Sequence, residues 1–106
     1  PGTIKEMVRE LGIRKNFLLA WLDRHDFYCP APQGAFYVFP NLPGQLRMSS
    51  TALAKFLLEK AKVVVTPGMA FGGERYDGYI RMSYASVKSM EQLQQGLERI
   101  EKSLKL

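Results

Sequence analysis

The chain has 106 residues, 46% of them hydrophobic and 24% charged, with a formal net charge of +5. That length fits one soluble domain able to bury roughly 60–70% of its unfolded surface, and no apolar run reaches the roughly 20 residues of a membrane span. Lys and Arg are interspersed with Asp and Glu along helical stretches with no basic run, so solvated helix faces account for the charge and neither nucleic acid nor membrane is an expected partner.

Pro1, Gly2 and Thr3 make an entry turn, and Thr3 with Glu6 fits a capping box. From there Ile4, Met7, Val8, Leu11, Leu18 and Leu22 recur at helical spacing, with Phe17 and Trp21 broadening the apolar face. Gly12 costs roughly 1 kcal/mol relative to Ala in a helix interior, which leaves open one long helix or two shorter ones. His25 reads as a solvated cap at the helix end, complementing the macrodipole. As the only His, with no Cys or carboxylate cluster at ligand spacing, it implies no metal site.

Cys29 is the single cysteine, so an intrachain disulfide is excluded, and a small buried thiol in a reducing, cytoplasmic compartment is expected. There is no signal-peptide pattern, and the opening at Pro1 without an initiating Met reads as a processed or truncated chain. Pro30 and Pro32 favour an extended entry to a strand over residues 34–40, in which Ala35, Tyr37 and Phe39 alternate with Phe36 and Val38. Both faces of that strand are apolar and need covering. The helices of this chain coat one side, so the second face is expected to be exposed or covered from outside.

Residues 41–48 form a loop around Pro43-Gly44. Ser49 or Ser50 then caps a helix reaching about Lys62, with Ala52, Leu53, Phe56, Leu57 and Ala61 as its buried stripe. A strand over residues 63–66 completes a right-handed crossover that makes the first two strands parallel. A loop of about twelve residues, carrying Pro67, Gly68, Gly72, Gly73 and Gly78, leads to a third strand over residues 79–85, antiparallel and inserted between the others. Ser89 and Gln92 cap a last helix with Leu93, Leu97, Ile100 and Leu104 on one face. Residues 1–106 thus read as one α+β domain: a small three-stranded mixed sheet, split βαβ-like, with helices mainly on one face.

In the third strand Ile80, Met82 and Tyr84 face a core while Tyr79, Arg81 and Ser83 face away. Arg81 is therefore a cation fixed beside a glycine-punctuated loop, which suits an anion. A guanidinium offers two parallel N–H donors that match the two oxygens of a carboxylate. The plainer reading is an ion pair with Glu74 or Asp77.

The run VVVTPGMAFGGERYDGYIRMSYA over residues 63–85, preceded by PQGAFYVFPN over 32–41, resembles the C-terminal part of a fold-type I, pyridoxal-phosphate-dependent aminotransferase of class I/II. The resemblance covers nearly the whole chain and implies its small C-terminal domain. It implies that the parent protein transfers an amino group between an amino acid and a 2-oxo acid, and that Arg81 holds the substrate α-carboxylate. It places Pro67, Gly68 and Phe71 in a loop beside the substrate and Gly34 in the turn entering the first strand. The Schiff-base lysine, the carboxylate on the pyridinium nitrogen and the phosphate donors are implied to lie on a large cofactor-binding domain outside this chain, in a homodimeric parent. Lys62 and Lys88 sit at helix ends in no matching motif, and no Gly-rich phosphate loop opens a helix. This chain alone is therefore expected to hold no pyridoxal phosphate and to be catalytically silent. The alternatives are a small non-catalytic regulatory domain that binds an amino acid through Arg81, or an RNA-binding α+β module, although the strands do not match the aromatic RNA-recognition signature.

Overall fold

In the computed structural model the described residues are 2–29, 36–46 and 48–106. Helix α1 (Ile4–Arg24) runs unbroken through Gly12. Its entry is a reciprocal cap, with the Glu6 N–H donating to Thr3 Oγ1 at 3.0 Å and the Thr3 hydroxyl donating to Glu6 Oε1 at 3.0 Å. The apolar stripe is core only over its C-terminal half: Leu18, Trp21 and Leu22 are buried, whereas Ile4, Met7 and Val8 are exposed. Periodicity marks an apolar face, but whether anything covers that face depends on the rest of the fold.

Arg14 lies on the same stripe between Leu11 and Leu18 and is itself buried. It is tolerated there because its guanidinium donates to Val87 O at 2.8 Å and Lys88 O at 3.3 Å and pairs with Glu10 Oε1 at 2.6 Å. These bonds tie α1 to the segment entering the last helix.

Strand β1 (Tyr37–Val38) is only two residues long, and Gly34 and Ala35 of the expected strand lie outside the described residues. Helix α2 (Ser50–Phe56) starts at Ser49, whose Oγ accepts the Ala52 N–H at 3.1 Å. It continues as a π-helical turn over Leu57–Ala61 and stops at Lys62, which has φ +57° while the Val63 N–H reaches back to Leu57 O at 3.1 Å. The Lys62 N–H bonds the same Leu57 oxygen, so a left-handed residue ends the helix as is usual, with the closing turn one residue longer than the six-to-one form. Of the expected stripe, Leu53, Leu57 and Ala61 are buried and Phe56 half-buried, but Ala52 is exposed.

Strand β2 (Thr66–Pro67) begins later than residue 63, and β3 (Ile80–Ser83) is shorter than the expected 79–85. The segment between them is not a structureless loop: it holds a short helix α3 (Gly68–Gly72) and a 3-10 turn over Gly73–Tyr76. Helix α4 (Met90–Leu104) opens on Ser89, which accepts the Gln92 N–H at 3.1 Å while Gln92 Oε1 accepts the Lys88 N–H at 2.6 Å.

The sheet order is β1-β3-β2, with β3 antiparallel to both neighbours. The outer strands run the same way, as expected of a split βαβ unit. One core unites the inner face (Val38, Ile80, Met82) with Leu18 and Leu22 of α1, Leu53 and Leu57 of the α2 segment, and Leu93, Leu97 and Ile100 of α4. Each fully buried aliphatic side chain of this kind contributes roughly 1.5–3 kcal/mol.

His25 is the C-cap of α1, as expected, but its side chain is not solvated. Its ring lies 4.7 Å from that of Trp21 and its Nε2 is 3.3 Å from Glu101 Oε1. Trp21 Nε1 donates to the same oxygen at 2.6 Å. The Trp21 bond first, and His25 after it, hold the Glu101 carboxyl below its ordinary range. This cluster pins the end of α1 to α4. Cys29 is half-buried, and burial pushes its thiol up.

Candidate functional site

The strict alternation of buried and half-buried residues along β3 turns Arg81 away from the core. On that outer face Arg81 meets one side chain from each neighbouring strand. Thr66 on β2 is directly opposite Arg81, and its Oγ1 accepts a guanidinium N–H at 3.4 Å. Tyr37 on β1 is paired with Ser83 and is therefore the diagonal neighbour of Arg81. The Arg81 carbon Cζ lies 4.6 Å from the centroid of the Tyr37 ring. The centroid of the Phe71 ring, from α3, is 5.9 Å from Cζ.

Neither Glu74 nor Asp77 neutralises this cation. Among the described residues Arg81 makes no ion pair. Asp77 is used elsewhere: its Oδ1 accepts from the Ser50 hydroxyl at 3.0 Å and the Ser50 N–H at 3.2 Å, and its carbonyl accepts the same N–H at 2.9 Å. Ser50 Oγ in turn accepts the Met69 N–H at 3.2 Å. The fully buried Ser50 thereby clamps both ends of the 68–77 segment to the start of α2.

The 68–77 segment is packed as tightly as it is bonded. The Gly68 N–H donates to Tyr79 O at 2.7 Å, and a Cβ on Gly68 would collide with the carbonyl oxygens of Tyr76 and Tyr79. Gly73, at φ +70° and ψ −160°, occupies backbone space that side chains rarely adopt. With its backbone fixed, the segment presents a chain of rings: Phe39 to Phe71 at 5.6 Å, Phe71 to Tyr76 at 5.9 Å, and Tyr76 to Tyr79 at 5.6 Å. Phe36, Tyr37, Met69, Phe71 and Tyr76 are among the exposed large apolar residues. This face is thus open and aromatic, with Arg81 beside Tyr37 and Thr66 and a second cation, Arg75, 6.0 Å from the centroid of the Tyr76 ring.

Of the residues singled out in the sequence, Arg81 and Phe71 come together here. Pro67 and Gly68 contribute backbone: Pro67 pairs with Ile80 on the edge strand, where its missing N–H is harmless, and Gly68 permits the close packing. Gly34 lies outside the described residues. Tyr37 and Thr66 were not foreseen as neighbours of Arg81, and the available signal was their place in the strands once the register is known. Among the described residues no group of three or more His, Cys, Asp or Glu side chains is placed to hold a metal ion. None of the lysines among them is buried, as a Schiff-base amine would need to be.

The model of the family described as aminotransferase class I and II matches residues 2–100. The chain is 44% identical over 102 residues to an aspartate aminotransferase of Pyrococcus horikoshii, covering 95% of this chain and 25% of that protein. It is 38% identical to aromatic-amino-acid aminotransferase 2 of Thermococcus litoralis, over 96% of this chain and 25% of that protein. Among solved structures, an aromatic aminotransferase from Pyrococcus horikoshii superposes with a TM-score of 0.83 at 35% identity, over 95% of this chain and 26% of that one. The chain therefore spans about a quarter of the length of these relatives.

Proposed function

The chain belongs to the aminotransferase class I and II family, and from that premise we propose that it is the substrate-carboxylate-binding small domain of an enzyme moving an amino group between an amino acid and a 2-oxo acid. The observation that carries the reading is Arg81: half-buried, turned outward by the pleat, ringed by Tyr37 and Phe71, and without an acidic partner among the described residues. A cation held in this way has its charge-assisted hydrogen bonds still to make, and a carboxylate receives them in pairs along the guanidinium edge. Both substrates of such a reaction carry that carboxylate on the reacting carbon, so a single arginine orients each of them in turn.

Pyridoxal phosphate is the cofactor implied by the family, and we infer that the described residues of this chain do not hold it. No lysine among the described residues is buried, and the one short helix near Arg81, α3, starts at Gly68 with its N–H already bonded to Tyr79 O. The cofactor is therefore proposed to sit on a large domain supplied by the rest of the parent chain. That domain would also cover the open aromatic face and the bare N-terminal half of α1. A homodimeric parent in the cytoplasm belongs to the same proposal, and the lone half-buried Cys29 is in keeping with a reducing setting.

The test is kinetic, on the full enzyme. Arg81→Ala is expected to lower kcat/KM for the amino acid and the 2-oxo acid together, with Arg81→Lys intermediate because it keeps the charge but loses the fork. Loss of a charged hydrogen-bonding partner corresponds to roughly 1.5–3 kcal/mol. Unchanged kcat/KM for both half-reactions in Arg81→Ala would end the assignment.

A further inference from the structure

We propose that Tyr37 is the positioning residue for Arg81, acting through the face of its ring and not through its hydroxyl; the inference rests on the carboxylate-binding reading of Arg81. An arginine on a two-sided sheet has several rotamers, and a free guanidinium loses much of that freedom when it grips a ligand. Here two contacts restrict that freedom. Cζ lies 4.6 Å from the Tyr37 centroid, inside the roughly 6 Å range in which the negative ring face attracts a cation. Thr66 Oγ1 takes one N–H from the opposite strand.

The placement follows from register. Because Tyr37 pairs with Ser83 and Val38 with Met82, Tyr37 is diagonal to Arg81 on the same face, at the separation an aromatic side chain can bridge. From that position the ring presents its face to the cation, with the Arg81 Cζ over it. A guanidinium lying parallel to the ring would leave free its in-plane N–H donors, which are the ones a carboxylate uses. Phe71 is 5.9 Å away and turns its ring chain toward Phe39 and Tyr76, so Tyr37 is the nearer support.

The experiment combines three variants of the full enzyme with a reading on the chain itself. Tyr37→Leu removes the ring and keeps an apolar side chain, Tyr37→Phe keeps the ring and removes the hydroxyl, and Arg81→Ala removes the cation. A cation–π contact of ~0.5–2 kcal/mol predicts a loss in kcat/KM of about 2- to 30-fold for Tyr37→Leu. That loss should be shared by the amino acid and the 2-oxo acid, and Tyr37→Phe should restore near-normal values. In an Arg81→Ala background, Tyr37→Leu should cost nothing further, because the two act as one unit. In the 106-residue chain, the Arg81 Nε–H resonance should carry a ring-current shift that Tyr37→Phe keeps and Tyr37→Leu loses. If Tyr37→Leu lowers thermal stability, Tyr37→Met serves in its place, and the same resonance is read. Full activity of Tyr37→Leu alongside a damaged Arg81→Ala would overturn the role of Tyr37 and leave the carboxylate reading standing. Full activity of Arg81→Ala would overturn both. A loss in Tyr37→Phe as large as in Tyr37→Leu would assign the effect to the hydroxyl and refute the stacking role.

Discussion

Gly68→Ala is the substitution whose cost the geometry specifies most closely. A methyl at that position runs into the carbonyl oxygens of Tyr76 and Tyr79, and both are backbone atoms that cannot swing aside as a side-chain tip would. The neighbouring hydrogen bond from the Gly68 N–H to Tyr79 O, 2.7 Å long, has to lengthen as the chains part. Overpacking costs ~1–3 kcal/mol and the lost hydrogen bond ~0.5–1.5 kcal/mol, while the stiffer unfolded chain returns ~0.4–1 kcal/mol. The net is a destabilisation of about 2 kcal/mol, which for a domain of this size lowers Tm by about 8–16 °C. Circular dichroism melts of the 106-residue chain with and without the substitution measure it. A Tm within about 2 °C of the parent would show that the 68–77 segment is not packed against the 76–79 backbone as described.

Other changes should move stability in directions the same structure fixes. Gly12→Ala places a methyl in open space within α1 and should stabilise by about 1 kcal/mol, raising Tm in the same melts; a fall would contradict the open space around that point of the helix. Glu101, held below its ordinary pKa by Trp21 and then His25, contributes stability that is present above the ordinary carboxylate range and lost as pH falls through the lowered folded value. Because its side chain is 36% exposed, the effect is modest. Melting curves followed by Trp21 fluorescence should fall less steeply on acidification in Glu101→Gln than in the parent, and parallel curves would contradict the assignment.

What was legible in the sequence was what is decided locally. The caps at Thr3 and Ser89 need only residues three apart, and both formed. The inward and outward residues of β3 follow from the pleat alone, which is why Arg81 was placed on the open face and Ile80 and Met82 in the core. The direction of the third strand followed from its connection length, and its place between the other two from the split βαβ pattern. What was not legible depends on distant partners. The stripe on α1 could be drawn, but Ile4, Met7 and Val8 are exposed because none of the described residues covers them. His25 looked solvated because Glu101, its partner, is 76 residues away. Helix α3 is five residues long and begins and ends on glycine, too short for periodicity to register. Tyr37 and Thr66 became neighbours of Arg81 only through strand register, and one residue of slip would have turned Tyr37 to the other face.

The measurement that bears most directly on the proposed role of Arg81 is a crystal structure of the full-length protein with a 2-oxo acid bound. That role predicts two N–H···O contacts between the Arg81 guanidinium and the substrate carboxylate, each about 2.7–2.9 Å, with the guanidinium still lying over the Tyr37 ring. A carboxylate held by other residues, with Arg81 beyond hydrogen-bonding distance or paired to a protein acid, would contradict it.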